Sequence, residues 1–261
     1  VLTVDPENVR VIEGDTGEVP NSVGSFASRS AQMGGTAVWE CALRVRDQAR
    51  AKAAEVLEIA EADLELEAGS FRVKGSPAFA ISLGEIAERI EQDGGQLGFD
   101  EFFNPESQTF PYGVYVAVVE VEIETGIVTV DRLVCVDDVG TVLNPMIVEG
   151  QIHGSVMMGL GQALLEEVRY DVDGQPLNPT LLDYLVPPAL LGVSIETLHL
   201  EHPAPSIPTG VKGAGESGCI GVPPAVLNAV CDALRPHGVT NLSLPLTPEK
   251  VWTAIQAAGV E

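Results

Sequence analysis

Two β-rich segments lie close together in the sequence: Tyr112-Gly-Val-Tyr-Val-Ala-Val-Val-Glu-Val-Glu-Ile-Glu124 and Ile127-Val-Thr-Val-Asp-Arg-Leu-Val-Cys-Val136. They are joined by Glu-Thr-Gly, a sequence typical of tight turns. In both segments apolar residues alternate with acidic or polar ones, as in strands that bury one face. The sequence therefore predicts a long antiparallel hairpin.

Helices mixed with further strands are predicted on both sides of this hairpin. Upstream we predict a strand at Val9–Ile12, a loop at Gly14–Gly35, a helix at Ala37–Ala60, a hairpin of 64–66 with 71–73, and a capped helix at Ser82–Ile90 with Glu85 in the capping-box position. Downstream we predict a helix from Asn144-Pro145 to about Glu166, a hairpin turn at Asp173-Gly174, a strand at Ile195–Leu200, a helix with Pro223 and Pro224 in its first turn, and a helix at Pro248–Ala258. Because regular βαβ alternation is absent from this pattern, the expected class is α+β with two mixed subdomains, 1–95 and 112–261, joined by a linker at 96–111.

Charge and hydropathy exclude several classes of partner. The 261 residues carry 38 acidic and 14 basic side chains, a formal charge of −24, which repels phosphate backbones and anionic lipids. The longest uncharged apolar run, 152–165, is shorter than the roughly 20 residues that span a bilayer. We therefore expect neither a nucleic-acid nor a membrane partner.

The cysteines and the first residues bear on compartment and metal content. Cys41, Cys135, Cys219 and Cys231 form no C-x-x-C pair, so neither an iron–sulfur nor a structural zinc site is expected, and a reducing cytoplasm fits best. The four histidines show no ligand spacing, so we expect no metal bound directly by side chains. A secretory signal is not expected either, and since Val1 is not Met the N-terminus looks truncated.

One glycine-rich segment, Gly213-Ala-Gly-Glu-Ser-Gly218, displays a single carboxylate, Glu216, just before a helix. A carboxylate held on such a loop can act as a general base, although the spacing alone leaves open an exposed acid in a turn. The segment also fits G-x-G-x-x-G, but it follows a proline-rich loop rather than a strand, which argues against dinucleotide binding.

Two further segments carry groups that could bind a polar ligand. Gly24-Ser-Phe-Ala-Ser-Arg-Ser30 combines hydroxyls, a guanidinium and backbone amides, which suit an anion, unless the serines only cap a helix. Gln151, in Gln-Ile-His-Gly154, could read the edge of a polar ring, or it could be a buried amide bonded to backbone.

Together these segments resemble the large subunit of the molybdenum hydroxylases, the family of xanthine dehydrogenase, aldehyde oxidoreductase and aerobic carbon monoxide dehydrogenase. The resemblance rests on Val211-Lys-Gly-Ala-Gly-Glu-Ser-Gly218, on Asp138-Val-Gly-Thr-Val-Leu-Asn-Pro145 with Val148-Glu-Gly-Gln-Ile-His-Gly154, and on the 24–30 loop. It covers nearly the whole chain, and the ordered motifs make it specific.

The resemblance implies a molybdopterin-binding fold and an oxidoreductase mechanism. Glu216 would be the general base that deprotonates a hydroxyl on molybdenum, and Gln151 would hydrogen-bond the pterin. The cofactor, in its cytosine dinucleotide form, would also contact Gly24, Ser25, Phe26, Ala27, Ser28, Arg29, Ser30 and Gly215. Molybdenum would be held by the pterin dithiolene rather than by side chains. FAD and [2Fe-2S] clusters would lie on other subunits or portions.

Large subunits of this family are about three times longer, so the chain resembles their C-terminal portion. Its partners would be the upstream portion, iron–sulfur and FAD subunits, and a small substrate: an N-heterocycle, a purine, an aldehyde or carbon monoxide. The alternative is a scaffold or assembly module that kept the fold without molybdenum.

Overall fold

The computed structural model describes residues 1–19 and 23–259 and divides the chain into two compact units. The first unit comprises Val1–Phe26 and Ser30–Glu106, and the second comprises Ala27–Arg29 and Ser107–Glu261. Both units combine helices with a three-stranded sheet, which confirms the predicted α+β class.

The first unit packs two helices against a small antiparallel sheet. Its elements are α1 (Ser30–Leu57), β1 (Leu64–Glu67), β2 (Ser70–Val73), β3 (Ser76–Ser82) and α2 (Leu83–Gln92), with the strands in the order β1-β2-β3. Ala49 and Ala53 of α1 and Ile86 of α2 bury their side chains with Leu64 and Phe71 of the sheet. The predicted hairpin of 64–66 with 71–73 is confirmed as β1 and β2.

The predicted capping box at the start of α2 is also confirmed. The Glu85 amide donates to Ser82 Oγ at 3.2 Å, and the Ser82 amide donates to Glu85 Oε2 at 2.9 Å. The bonds from Ser82 hold the pKa of the Glu85 carboxyl below its usual value. Two otherwise unpaired amides at the helix start are satisfied in this way.

Two expectations for the first unit are wrong, and one of its strands was not expected. Val9–Ile12 forms no strand, because no described strand pairs with it, and Val11 is 78% exposed. Helix α1 begins at Ser30, inside the predicted loop, because burial of Gln32 and Thr36 favours the helix despite the glycines. Strand β3 was not predicted, since its sequence is poor in β-branched residues and pairing with β2 decides it.

The second unit is built on the predicted hairpin, which the structure confirms. Strands β4 (Tyr112–Val121) and β5 (Val128–Asp138) pair antiparallel from Tyr112↔Asp138 to Val121↔Val128, with a register shift between Val118 and Val119. Strand β6 (Ser194–Leu200) was predicted as a strand, but its parallel pairing with β5 was not. The order in this sheet is β4-β5-β6.

Three helices complete the second unit: α3 (Pro145–Leu164), α4 (Ser217–Leu234) and α5 (Pro248–Ala257). Helix α3 begins as predicted, with Asn144 as its N-cap, and α5 also matches its prediction. Helix α4 begins at Ser217, so Pro223 and Pro224 lie inside the helix and not in its first turn. Pro223 is buried in this position, so its packing favours a placement that local rules disfavour.

Helix α4 and the turn after it, Ser217–His237, are long and apolar enough to cross a membrane by length and composition alone. Core helices pass the same test. Val222, Val226, Val230 and Leu234 of this helix are buried in the core of the second unit. Its apolar character is therefore accounted for by packing within the unit.

Candidate functional site

Glu216 is the residue immediately before α4, at the end of the glycine-rich segment. Its side chain is exposed and does not cap the helix. Its backbone is held instead: the carbonyl accepts a hydrogen bond from Cys219 Sγ at 3.0 Å. The structure thus presents a carboxylate to solvent on a fixed backbone at a helix N-terminus, where anions are favoured.

A second predicted residue, Ser28, holds the same backbone from 188 positions away in the sequence. The Glu216 amide donates to Ser28 Oγ at 2.9 Å. Ala27 and Ser28 both have φ of 52°, in the left-handed region that non-glycine residues rarely adopt. Such residues cost about 1–3 kcal/mol each and cluster at functional sites. The strained turn therefore places the Ser28 hydroxyl against the Glu216 loop.

Gln151 brings a third segment, on α3, to this place. A Cβ added to Gly215 would lie 2.8 Å from Gln151 Oε1 and 3.5 Å from Ser28 Oγ, so these two side chains lie close to the backbone of Gly215. The Gln151 side chain is exposed, and it makes no hydrogen bond to the described residues. The expectation of a buried amide bonded to backbone is therefore wrong. The structure brings together four predicted residues: Ser28, Gln151, Gly215 and Glu216.

The rest of the predicted cofactor loop is divided between the two units. Ala27 and Arg29 belong with Ser28 to the second unit, whereas Gly24, Ser25, Phe26 and Ser30 belong to the first. The hydroxyls of Ser25 and Ser30 form a hydrogen bond that closes the loop on itself. Contact of these residues with a cofactor stays a prediction.

Close approach of α3 and α4 fixes the start of α4. The Gly218 amide donates to Ser155 Oγ at 3.1 Å, and this hydroxyl donates to the Ile152 carbonyl at 2.9 Å. A Cβ on Gly159 would lie 2.7 Å from the Gly218 carbonyl oxygen and 2.8 Å from Cβ of Val222. The two helices can touch backbone to backbone only because position 159 of α3 and position 218 of α4 are both glycine.

Sequence reasoning missed a buried carboxylate, Asp138, at the end of β5. It accepts hydrogen bonds from the Gly140 amide at 2.9 Å and from His202 Nδ1 at 2.6 Å, and Lys212 Nζ lies 3.2 Å away. Burial alone would raise the pKa of Asp138, but the bonds from Gly140, Tyr112, His202 and Lys212 outweigh it and lower the pKa. The sequence did contain a signal for this buried carboxylate: two consecutive acids, Asp137 and Asp138, end a strand whose other inward-facing residues are apolar.

The neighbouring Asp137 is buried as well and has different partners. Its Oδ1 accepts a hydrogen bond from the Tyr115 hydroxyl at 2.6 Å, while its Oδ2 has no hydrogen-bond partner. Burial raises the pKa of Asp137, although interactions with Tyr115 and Ser217 oppose the shift. Burial and Asp137 together raise the pKa of Tyr115 as well.

The donor set at Glu216 suits an organic group better than a bare metal ion. Across residues 1–19 and 23–259, no three His, Cys, Asp or Glu side chains are grouped as a metal site. The available groups are the carboxamide of Gln151, the hydroxyl of Ser28 and the carboxylate of Glu216. A side chain at position 215 would occupy the space beside Gln151. A pterin edge offers both donors and acceptors, which a carboxamide can match, so these residues fit such a cofactor.

A separate cavity of about 670 Å³ lies in the first unit. It is lined by the N-terminal segment and by residues of the β1–β2 turn and the α2 start, including Thr3, Gly69 and Ser82. None of the predicted site residues lines it.

Comparison with known proteins gives consistent relatives. Residues 1–190 match the molybdopterin cofactor-binding domain family. The chain is 36% identical over 260 residues to the carbon monoxide dehydrogenase large chain of Hydrogenophaga pseudoflava, covering 98% of this chain and 32% of the relative. It is 38% identical over 263 residues to the 6-hydroxypseudooxynicotine dehydrogenase complex subunit gamma of Paenarthrobacter nicotinovorans, covering 98% and 33%.

A solved structure gives the same result. The reconstituted CO dehydrogenase from Oligotropha carboxidovorans superposes with a TM-score of 0.84 at 32% identity, covering 95% of this chain and 32% of that one. The chain thus spans about a third of the length of the relatives it matches. By its family match, its identity to these relatives and its fold, the chain belongs to the molybdenum hydroxylase family and comprises its molybdopterin cofactor-binding domain.

Proposed function

We propose that this chain is the cofactor-binding, base-bearing C-terminal portion of a molybdenum hydroxylase large subunit, with Glu216 as the general base. The observation that carries the proposal is the convergence of Ser28, Gln151 and Gly215 on Glu216. Three segments distant in sequence meet at one carboxylate, whose backbone amide is held by Ser28 and whose side chain is exposed. A general base needs this combination of fixed position and free oxygens.

The cofactor we propose is molybdopterin in its cytosine dinucleotide form. The Gln151 carboxamide would hydrogen-bond the pterin with both its donor and its acceptor. The hydroxyls and amides of the 24–30 loop, with Arg29, would bind the anionic parts of the cofactor. Glycine at position 215 keeps the space beside Gln151 open.

In the proposed mechanism the cofactor, when bound, supplies the redox chemistry and receives the electron pair removed from the substrate. Glu216 accepts a proton on a carboxylate oxygen at the reacting centre. The bond from its amide to Ser28 keeps the carboxylate in place as its charge changes. Gln151 orients the pterin. The closely packed α3 and α4 give Gln151 and Glu216 a rigid support.

The proposed substrate is small: an N-heterocycle, a purine, an aldehyde or carbon monoxide. The names of the relatives include both carbon monoxide and 6-hydroxypseudooxynicotine. The proposed partners are the upstream portion of the large subunit and subunits carrying FAD and [2Fe-2S] clusters, which would pass electrons onward. The proposed location is the cytoplasm, where the four free cysteines would stay reduced.

The test compares Glu216→Gln with wild type, each purified with its native companion polypeptides. We expect the variant to keep molybdenum, by elemental analysis, and to lose about 10²–10⁴-fold in dye reduction across aldehydes and heterocycles. Glu249→Gln, an exposed acid at the start of α5, is the matched control and should keep full activity. Unchanged turnover in Glu216→Gln would refute the base assignment. Absence of molybdenum and pterin from a well-folded complex would instead favour the scaffold alternative.

A further inference from the structure

Two consecutive buried aspartates end strand β5. Asp137 and Asp138 are each 1% exposed, and successive strand residues point to opposite faces. Burying a carboxyl group is costly unless its partners match its protonation state. The two partner sets differ in kind, and they indicate different states.

The partners of Asp138 are all donors, and two of them can carry positive charge. The amides of Gly140 and His202 donate to Oδ1 at 2.9 and 3.3 Å, and Lys212 Nζ lies 3.2 Å from the same oxygen. His202 Nδ1 lies 2.6 Å from Oδ2. Tyr112, a further titratable group, contacts His202 Nδ1 at 3.2 Å. A donor set of this kind suits an ionised carboxylate, and the pKa of Asp138 is accordingly lowered.

The hydrogen-bond partner of Asp137 is a hydroxyl group and not a cation. Tyr115 donates to Oδ1 at 2.6 Å, and Oδ2 has no hydrogen-bond partner. In the described part of the chain, no Lys, Arg or His forms an ion pair with it. The titratable groups facing Asp137 are Tyr115 and Cys135, and burial raises the pKa of all three. These surroundings suit a neutral acid.

Asp138 holds the chain that leads to Glu216. Lys212 precedes Glu216 by four residues, and its amide donates to the Val139 carbonyl at 2.9 Å, which ties this segment to the end of β5. The ion pair of Lys212 Nζ with Asp138 Oδ1, at 3.2 Å, adds a second tie. Asp138 therefore anchors the segment before Glu216.

We propose that Asp138, as an anion, is a positioning residue for Glu216, because it holds the segment that leads to Glu216. The inference rests on the proposed function for the role of Glu216. The anchoring by Asp138 is testable without turnover.

The first test uses hydrogen exchange, followed by mass spectrometry of the peptides covering 209–219 in the complete enzyme complex. Asp138→Asn should speed exchange there about tenfold or more, because it removes a charge-assisted bond. Asp137→Asn should stay within about twofold of wild type in these peptides, because Asp137 has no ion pair to this segment and Asn keeps an acceptor for Tyr115. Asp131→Asn, an exposed acid on β5, is the matched control and should change nothing.

Unchanged exchange in Asp138→Asn would overturn its anchoring role. Equal loosening by Asp137→Asn would also contradict the proposal, because Asp137 has no ion pair to this segment. Faster exchange spread across β4 and β5 would show general destabilisation and would also contradict the proposal. If Asp138→Asn cannot be recovered folded, Lys212→Gln removes the same ion pair and should loosen the same peptides.

The second test measures turnover. Asp138→Asn should lower kcat about tenfold to a hundredfold with little change in KM, because a misplaced base slows the chemical step. If Asp138→Asn speeds exchange in the 209–219 peptides but leaves kcat unchanged, the anchoring by Asp138 does not serve catalysis. Failure of the proposed function is recognised separately, because Glu216→Gln would then keep its turnover while the exchange results remain valid.

Discussion

Replacing Gly159 by alanine tests the helix contact that fixes the start of α4. The new Cβ would lie 2.7 Å from the Gly218 carbonyl oxygen and 2.8 Å from Cβ of Val222, some 0.7 Å inside ordinary van der Waals contact at 3.4 Å. The oxygen belongs to helix backbone and Cβ of Val222 is fixed to it, so neither can rotate away. Overpacking of this kind typically costs about 1–3 kcal/mol, and contact with rigid atoms places Gly159→Ala near 2–3 kcal/mol.

The matched control is Gly154→Ala, five residues earlier in α3, where a Cβ would meet nothing within 4 Å. In open space the same substitution should stabilise the helix by about 0.5–1 kcal/mol, since alanine loses less backbone entropy than glycine. The two variants therefore share one helix and one chemical change but should have opposite signs.

Thermal unfolding followed by circular dichroism measures both variants. A unit of this size shifts its Tm by about 2–4 °C per kcal/mol. We expect Gly159→Ala to melt about 4–12 °C below wild type and Gly154→Ala to melt slightly above it. If the Tm of Gly159→Ala matched or exceeded that of wild type, the close approach of α3 and α4 would be wrong. The rigid support that this contact gives to Gln151 and Glu216 would then be wrong as well.

Two further predictions concern titratable groups of the second unit. The folded-state pKa of Asp138 lies below the usual 3.8, so its contribution to stability is present above about pH 4 and is lost at lower pH. The loss of unfolding free energy caused by Asp138→Asn, measured in urea melts, should therefore be smaller below that pH. Burial, with a smaller effect of Asp137, raises the pKa of Cys135 to about 11, and its side chain is fully buried; alkylation at pH 8 should therefore label Cys219 in the native protein, and Cys135 only after unfolding. Rapid labelling of native Cys135 would contradict that burial.

The parts of the fold that local sequence encodes were predicted from it. The hairpin of β4 and β5 follows from alternation and a short turn, and the α2 capping box needs only Ser82 and Glu85. Elements decided by distant contacts were not predictable in this way. Strand β6 pairs with β5 across some sixty residues of sequence. The prolines of α4 were predicted to lie in its first turn, whereas the helix begins at Ser217.

The candidate site shows the same division. The glycine-rich segment made Glu216 noticeable, and glycine at 215 leaves room for Gln151 beside the loop. Its partner Ser28 lies 188 residues away, and no local rule relates the two; the family resemblance selected both. The anchoring role of Asp138 was not predicted, because the side chains that make its burial tolerable, His202 and Lys212, lie more than sixty residues away in the 200–212 loop.

The contrast between Asp138 and Glu216 separates a structural acid from the acid that we propose as the base. The carboxylate of Asp138 is fully enclosed, and both its oxygens are used in holding the loop. Glu216 shows the reverse: its amide and carbonyl are bonded to Ser28 and Cys219, and its carboxylate makes no hydrogen bond to the described residues. An acid that only stabilised the fold would engage its side chain, because that is where its strong acceptors lie. A loop that fixes the backbone through a strained turn and leaves the carboxylate free favours a group that must accept a proton from a bound molecule.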